Sequence, residues 1–293
     1  LRCNMLAEKR QHSTALVPYT YYECSIPDYF PFVPLHWHGE FELNYVLSGS
    51  AEFIYGDERF ISHAGDVILL PPNLLHAIYP NGSDVQRYDT LVFSGELLGS
   101  AAHDRCTAEC IRPLISGERH IVMPIHADDA MQRTVERIFA CAKVGTPHAD
   151  LLLKSEMLRL LWQMEEQGAV AQQEGNRAAA SELIRPAIEY IHANLAETIS
   201  IDTLAQITHL SKSYFMGQFK KAAGVGAIEY INQLRIKRAC HLLTDTAKSV
   251  AEIAFACGFR NLSNFNRQFR GYVSCTPGEY RRITEGMKAA ASG

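Results

Sequence analysis

The residues best suited to do chemistry lie in His36-Trp37-His38-Gly39-Glu40-Phe41-Glu42, with His76 further along the chain. His36, His38, Glu40 and Glu42 share one parity, so on a single strand they project from one face. Three imidazoles and a carboxylate, from His36, His38, Glu42 and His76, form a donor set that suits a divalent transition metal such as Zn, Fe, Ni or Mn. The same groups, with Glu40, Asn44 and Arg87 as neighbours, also suit hydrogen bonding to a polar small molecule. A third reading makes them the lining of a pocket that holds no metal, and all three stay open. Trp37 is read either as a stacking surface for a sugar or as an outward aromatic covered by the N-terminal segment.

A second set of chemically suggestive residues occupies the C-terminal third, which contains an internal repeat. Ile201–Val225 and Val250–Cys275 each read as a short helix, a tight turn and a second helix. The second helices align as Tyr214-Phe215-x-x-x-Phe219-Lys220-Lys221 and Asn264-Phe265-x-x-x-Phe269-Arg270-Gly271. In the later copy Leu262, Phe265 and Phe269 fall on one helical face, and Ser263, Asn266, Arg267 and Arg270 on the other. An apolar inner face with a cationic, hydrogen-bonding outer face is the layout of a helix that enters a DNA groove. Arg and Asn side chains there can pair bidentately with guanine and adenine edges. In the earlier copy Ser213, Met216, Gly217, Lys220 and Lys221 face outward. Met and Gly offer no directional hydrogen bond to a base, so this copy is expected to hold phosphates and make apolar contacts. Two ordinary helical hairpins with solvated cationic faces are the bland alternative, and the matched spacing of two copies weighs against it.

Gly258-Phe259 suits the sharp turn of the later copy, and Asn261 is the expected N-cap of its second helix. Between the copies, Ile228–Leu243 places Ile228, Ile231, Leu234, Ala239 and Leu242 on one face of a connecting helix, able to hold both recognition helices about one DNA turn apart. Arg235 points into that apolar side, with Glu252 as the expected ion-pair partner.

Elements that must position these groups are legible in outline. Tyr19–Cys24, Phe41–Leu47, Ala51–Tyr55, Val67–Leu70, Ala77–Tyr79 and Thr90–Phe93 are β-branched or aromatic runs, separated by turn signals such as Ser48-Gly49, Gly56-Asp57 and Ala64-Gly65-Asp66. Short strands at near-regular spacing imply a sandwich or barrel. Asp128–Lys143 and Ala149–Gln167 then read as helices. Leu151, Leu152, Leu158 and Trp162 make the second of these apolar nearly all round, so it is either buried within its domain or part of a dimer interface. Residues 169–181 are small and polar and read as a linker. The expected organisation is 1–168, linker 169–181, 182–285 and a tail 286–293.

Composition bounds these readings. The chain has 293 residues, 47% hydrophobic and 20% charged, which excludes disorder as the main state and allows two domains. No uncharged apolar run reaches membrane-spanning length, and Leu1–Gln11 lacks the apolar stretch of a signal peptide, so a cytoplasmic location is expected. Leu1 suggests a non-standard start codon or a fragment, with Met5 as an alternative start. Net charge is −4, but 14 Lys and Arg against 9 Asp and Glu lie from Ser181 onward, leaving 14 against 23 before it. That asymmetry confines phosphate contact to the C-terminal region. Eight scattered cysteines without a CxxC pair read as reduced, packed thiols.

Two resemblances follow from these residues. Ile201-Asp202-x-Leu204-Ala205, Ser213-Tyr214-Phe215-x-x-x-Phe219-Lys220-Lys221, Leu234-Arg235-x-x-x-Ala239-x-x-Leu242-Leu243, Ile253-Ala254-x-x-x-Gly258-Phe259, Phe265-x-x-x-Phe269 and Thr276-Pro277-x-x-Tyr280-Arg281 resemble the AraC/XylS regulators over about a hundred residues. Gly217 stands where that family often has Arg, Ala227 where it often has Pro, and Ser274 where it often has Gly. His36-x-His38-x3-Glu42-x6-Gly49 and Gly65-x5-Pro71-x-Asn73-x2-His76 resemble the paired cupin motifs, with Asn73 in place of a Gly.

The resemblances imply an all-β cupin-like barrel with flanking helices, followed by an all-α domain with two helix-turn-helix units. They also imply a homodimer joined through 149–167, double-stranded DNA and a small effector (commonly a sugar or related metabolite) as partners, and RNA polymerase as a further one. No cofactor is required for that role, and a divalent metal in the barrel remains one reading. The expected function is a non-enzymatic, effector-responsive transcription regulator. The alternatives are a metal-dependent cupin enzyme, an isomerase or dioxygenase, with a helical appendage, and a DNA-binding protein whose barrel only dimerises.

Overall fold

The computed structural model describes residues 16–29, 31–56, 58–99, 103–172 and 179–291, with the backbone alone for 179–182 and 286–291. Readings that concern Leu1–Gln11, Cys3 and Met5 lie outside these residues, as does part of the linker (173–178). The chain divides into two compact units, Leu1–Arg177 and Ala178–Gly293.

The N-terminal unit is built from two antiparallel sheets around one core. Strands β1 (Tyr19–Ile26), β2 (Val33–His36), β3 (Phe41–Ser48), β4 (Ser50–Tyr55), β5 (Glu58–His63), β6 (Asp66–Leu70), β7 (His76–Pro80) and β8 (Gln86–Phe93) are followed by short β9 (Arg119–Ile121), β10 (Ile125–His126) and β11 (Val170–Gln172). One sheet runs β1-β8-β3-β6-β10 and the other β2-β7-β4-β5, with β9 and β11 as a separate pair. Strands β2 and β5 escape the sequence reading. The first is a short run beside two prolines, and the second mixes polar and apolar residues on both faces, with Arg59, Ile61 and His63 exposed.

Ile68 and Leu70 lie on the inner face of the larger sheet, and Phe41, Leu43, Leu91 and Phe93 on its opposite face, all buried in one cluster that includes Phe53 of the smaller sheet. A short helix α1 (Arg112–Ser116) precedes two longer ones, α2 (Asp129–Val144) and α3 (Pro147–Glu166). Asp128 caps α2 by accepting from Met131 N, Thr146 caps α3 by accepting from Ala149 N, and Pro147 at the first position needs no N–H partner. Phe139 of α2 lies against Tyr21 and Tyr45, sealing the outer face of the larger sheet.

Three boundaries differ from the sequence reading. Val170–Gln172 pairs with Arg119–Ile121, so the start of the 169–181 stretch is sheet of the N-terminal unit, not linker. Arg119 reinforces this corner with two hydrogen bonds to Glu165, at 2.6 and 2.7 Å. Helix α4 (Ala179–Ala193) already occupies the end of that stretch, and α10 (Pro277–Ala291) continues through the expected tail. Small residues carry little periodic signal, yet Ala is the best helix former.

The C-terminal unit is all helical: α4, α5 (Ile201–Ile207), α6 (Lys212–Ala223), α7 (Ala227–Asp245), α8 (Val250–Ala256), α9 (Leu262–Val273) and α10. Helix α7, about 28 Å long at 1.5 Å per residue, packs against helices of both repeats. It buries Ile231, Leu234, Ile236, Ala239 and Leu243, whereas Ile228, expected on the inner face, is exposed. Cys24, Cys141, Cys240 and Cys257 are buried free thiols, in line with the packed-thiol reading, while Cys106 is an exposed free thiol. Among the described residues no helix is long and apolar enough to cross a membrane.

Candidate functional site

His36, His38, Glu42 and His76 converge, though not by the route their parity suggested. The segment 36–42 is not one strand: β2 ends at His36, residues 37–40 turn, and β3 begins at Phe41. His36 and His76 come from the smaller sheet, where they are cross-strand partners, Glu42 comes from the larger sheet, and His38 from the turn between. The cluster therefore sits where two sheets meet. Its donor atoms all lie within 4.8 Å of one another.

Each imidazole is oriented through its Nδ1. That atom lies 2.9 Å from the Pro34 carbonyl in His36, 3.1 Å from the Glu40 carbonyl in His38, and 2.8 Å from the Leu74 carbonyl in His76. A carbonyl only accepts, so Nδ1 carries a proton and donates, which directs Nε2 toward the cluster centre, where a protonated ring donates to Glu42 and a neutral ring offers its lone pair to a cation. His38 Nε2 is 3.0 Å from Glu42 Oε2, and His76 Nε2 is 3.4 Å from the same oxygen, with ring orientation rather than reach weakening the second contact.

Burial alone would lower the His38 imidazole, but the hydrogen bond and charge of Glu42, helped by Glu40, raise it above its ordinary 6.5. Burial alone would raise the Glu42 carboxyl. Its hydrogen bonds to His38 and His76 and their charges outweigh that and hold it well below the usual carboxylate range. Three Nε2 atoms and one carboxylate oxygen fit a divalent transition metal. These residues would hold such an ion through their converging donor atoms, which all lie within 4.8 Å of one another.

The other expected pocket residues separate. Glu40 lies behind His38, with Oε2 3.7 Å from Nδ1, on the side away from the cluster. Arg87 does not face inward: it is exposed and lies 3.9 Å from Asp28. Asn44 is buried, and both ends of its amide are taken, by Glu42 Oε1 at 2.9 Å and by the Thr90 hydroxyl at 2.6 Å. Thr90 and, behind it, Cys24 are inner residues that the sequence reading missed. Nothing local marks them, because Thr90 meets Asn44 only through the pairing of β3 with β8.

In the C-terminal unit the repeat reaches the level of side-chain geometry. Phe215 and Phe219 are buried with ring centroids 5.6 Å apart, and Phe265 and Phe269 repeat this at 5.6 Å. Each pair rests on a tyrosine, Phe219 on Tyr230 at 5.5 Å and Phe269 on Tyr280 at 5.7 Å. Ser200 and Ser211 cap α5 and α6; Ser249, in a capping box with Glu252, and Asn261 cap α8 and α9. The turns differ by one residue, 208–210 against 257–260. His209 takes the left-handed conformation that Gly258 takes in the later copy, φ 54 against 88.

Arg235 does not pair with Glu252, which is occupied by its own cap. Arg235 instead donates to the Leu195 carbonyl at 3.0 Å and the Glu197 carbonyl at 2.6 Å, closing the end of α4. Arg281 does the same for α7, donating to the Leu243 and Lys248 carbonyls at 3.3 and 2.5 Å. Open carbonyls at a helix end are natural acceptors for such a cation.

On the outer faces, Ser213, Met216, Gly217, Lys220 and Lys221 of α6 and Ser263, Asn266, Arg267 and Arg270 of α9 are all exposed. Leu262, expected to face inward, is exposed too. Arg267 is held along its helix by a 2.9 Å hydrogen bond to Asn264 Oδ1. A groove of about 710 Å³ runs beside α9, lined by Asn266, Arg267, Arg270, Gly271, Val250, Thr276, Pro277 and Gly278. The N-terminus of α10, capped by Thr276 and Glu279, opens onto it.

A barrel with a convergent polar site, on the same chain as two helix-turn-helix units, defines a DNA-binding transcription regulator with an effector-binding domain. The sequence pattern of the family described as AraC-like ligand binding domain matches residues 21–161, and that described as helix-turn-helix domain matches residues 204–283. The chain belongs to the AraC family of transcription regulators. It is 25% identical over 255 residues to the helix-turn-helix transcriptional regulator YdiP of Escherichia coli, covering 84% of this chain and 80% of the relative. It is 22% identical over 261 residues to the melibiose operon regulatory protein of the same organism, covering 85% and 84%. The crystal structure of an apo ToxT variant from Vibrio cholerae shares the fold at 14% identity, with a TM-score of 0.51 over 94% of this chain and all of that one.

Proposed function

We propose that the chain is a cytoplasmic, homodimeric regulator whose barrel senses a small polyhydroxylated metabolite, a sugar or a close relative, and passes that signal to two recognition helices. The observation that carries this reading is the junction of the two sheets, where His36, His38, Glu42 and His76 bring their donors together on a chain that also bears α6 and α9. The melibiose operon regulatory protein among its relatives supports a sugar. In this reading the four residues hold a divalent transition metal, and the metal supplies an electropositive centre for effector oxygens. Of the four, His38 is the least buried and meets the effector first, with Glu40 behind it.

Base reading falls to Ser263, Asn266, Arg267 and Arg270, and phosphate holding with apolar contact to Ser213, Met216, Gly217, Lys220 and Lys221. The output is occupancy of DNA, and through it contact with RNA polymerase, rather than turnover of a substrate. The cluster also has the donor set of a metal-dependent isomerase or dioxygenase. Two matched recognition helices weigh against that reading, since turnover makes no use of them.

An effector acts only through unequal affinity for two arrangements of the protein on DNA. Genome-wide footprinting identifies the bound sites. Affinity for one such site is then measured with and without a panel of sugars, alongside the metal content of purified protein. A sugar that shifts affinity at least about 5-fold supports the reading, and indifference to every sugar and related metabolite overturns it.

A further inference from the structure

We propose that Asn44 and Thr90 form a fixed brace behind Glu42, holding Oε1 so that Oε2 alone is presented to a metal. The inference rests on the metal reading of the His36, His38, Glu42 and His76 cluster given above. Three of its contacts run inward from that cluster: Asn44 Nδ2 donates to Glu42 Oε1 at 2.9 Å, Thr90 Oγ1 donates to Asn44 Oδ1 at 2.6 Å, and Cys24 Sγ lies 3.6 Å from Thr90 Oγ1. Relative exposure is 3% for Glu42, 0% for Asn44 and 3% for Thr90, so water does not stand in for any member.

The direction of the chain is forced by chemistry. An ionised carboxylate only accepts, so the Asn44 amide must turn its NH2 toward Glu42. Its carbonyl then faces Thr90, and the Thr90 proton is committed to that carbonyl. The remaining lone pairs of Thr90 face Cys24, which leaves the thiol as the donor. Reversing the Asn44 amide would set two acceptors face to face at 2.9 Å in a buried site. Each link therefore fixes the next, from a thiol on β1 to a ligand oxygen on β3.

The consequence concerns coordination. Oε2 of Glu42 already meets His38 and His76, at 3.0 and 3.4 Å, on the side away from the brace. With Oε1 held by Asn44, the carboxylate binds through one oxygen, and the protein supplies three nitrogens and one oxygen. Partners of this kind, acting through a ligand rather than touching the ion, typically change metal affinity by about 10–100-fold.

The test uses full-length protein stripped of metal and titrated with Co(II) against a competing chelator, reading affinity and the Co(II) d–d absorption. Asn44→Leu and Thr90→Val remove the brace at near-constant volume, and Thr90→Ser restores the hydroxyl. Expected are about 10–100-fold weaker binding for Asn44→Leu and at least about 10-fold for Thr90→Val, with Thr90→Ser within about 3-fold of the parent. A freed Oε1 lets Glu42 bind through both oxygens, raising the coordination number, so the d–d band weakens in both brace variants but not in Thr90→Ser.

If Asn44→Leu fails to fold, judged by circular dichroism, the Thr90 pair decides alone. Parent-like affinity and spectrum in Thr90→Val, or equal losses in Thr90→Val and Thr90→Ser, overturn the brace while leaving the metal reading intact. A parent protein that binds no Co(II) overturns both.

Discussion

Arg235 and Gly258 share one crevice: the guanidinium Nε that donates to the Leu195 carbonyl lies 2.9 Å from where a Cβ on residue 258 would stand. The same Cβ would come within 2.6 Å of the Leu195 oxygen, and Gly258 has φ +88. The later turn and the end of α4 are therefore packed backbone to backbone. Gly258→Ala combines left-handed strain with overpacking and is expected to destabilise the C-terminal unit by about 2–4 kcal/mol. Calorimetry of the full chain should show that unit's transition falling while the barrel's stays in place. An unchanged transition would mean that the turn relaxes freely and that Arg235 does not fix it.

The two recognition helices should separate by the kind of affinity they contribute. Arg267→Ala removes an exposed fork able to pair with guanine, so about 1–3 kcal/mol of discrimination is lost at one base position. Lys220→Ala should weaken all sequences alike and flatten the salt dependence by about one counterion. Binding measured on a set of operator variants over a range of salt distinguishes them. Identical profiles for the two variants would sink the division of labour between α6 and α9.

His192 makes stability depend on pH. Its ring shares a 3.0 Å hydrogen bond with the Tyr230 hydroxyl, and burial, with Lys237 nearby, lowers its pKa from 6.5 to about 4. Between these values the unfolded chain takes up a proton that the folded chain refuses. The stabilisation is complete above about pH 6.5 and falls away as pH drops toward about 4, a loss of about 2–3 kcal/mol after allowing for partial exposure. Urea midpoints at pH 7.5 and 4.5 should differ more for the parent than for His192→Asn. Equal differences would show that other groups carry the effect.

Among the described residues helix α3 leaves an apolar stripe uncovered, with Leu151 70% and Trp162 57% exposed and Leu158 on the same side. Sedimentation of the parent should show a dimer. Leu151→Glu and Trp162→Glu should each weaken it by about 10-fold or more without lowering the barrel's melting temperature, since neither side chain is in the core. A dimer untouched by both would place the interface elsewhere.

The sequence by itself determined most of the elements and the aromatic inner faces of the two recognition helices, while β2 and β5 escaped it and Ile228 and Leu262 proved exposed. Phe215, Phe219, Phe265 and Phe269 announce a repeat at helical spacing, and that spacing is a local property of the backbone. It also named the four convergent residues of the barrel, because a histidine-rich motif is legible one residue at a time. Only the tertiary structure decided how these groups meet. His36 and His76 are neighbours through one sheet, Glu42 arrives from the other, and Thr90 reaches Asn44 through strand register. Arg235 found two carbonyls rather than Glu252, because helix ends present acceptors that no side-chain pattern reveals. Pairing between distant segments depends on how the whole chain closes on itself, and no local window of residues encodes that.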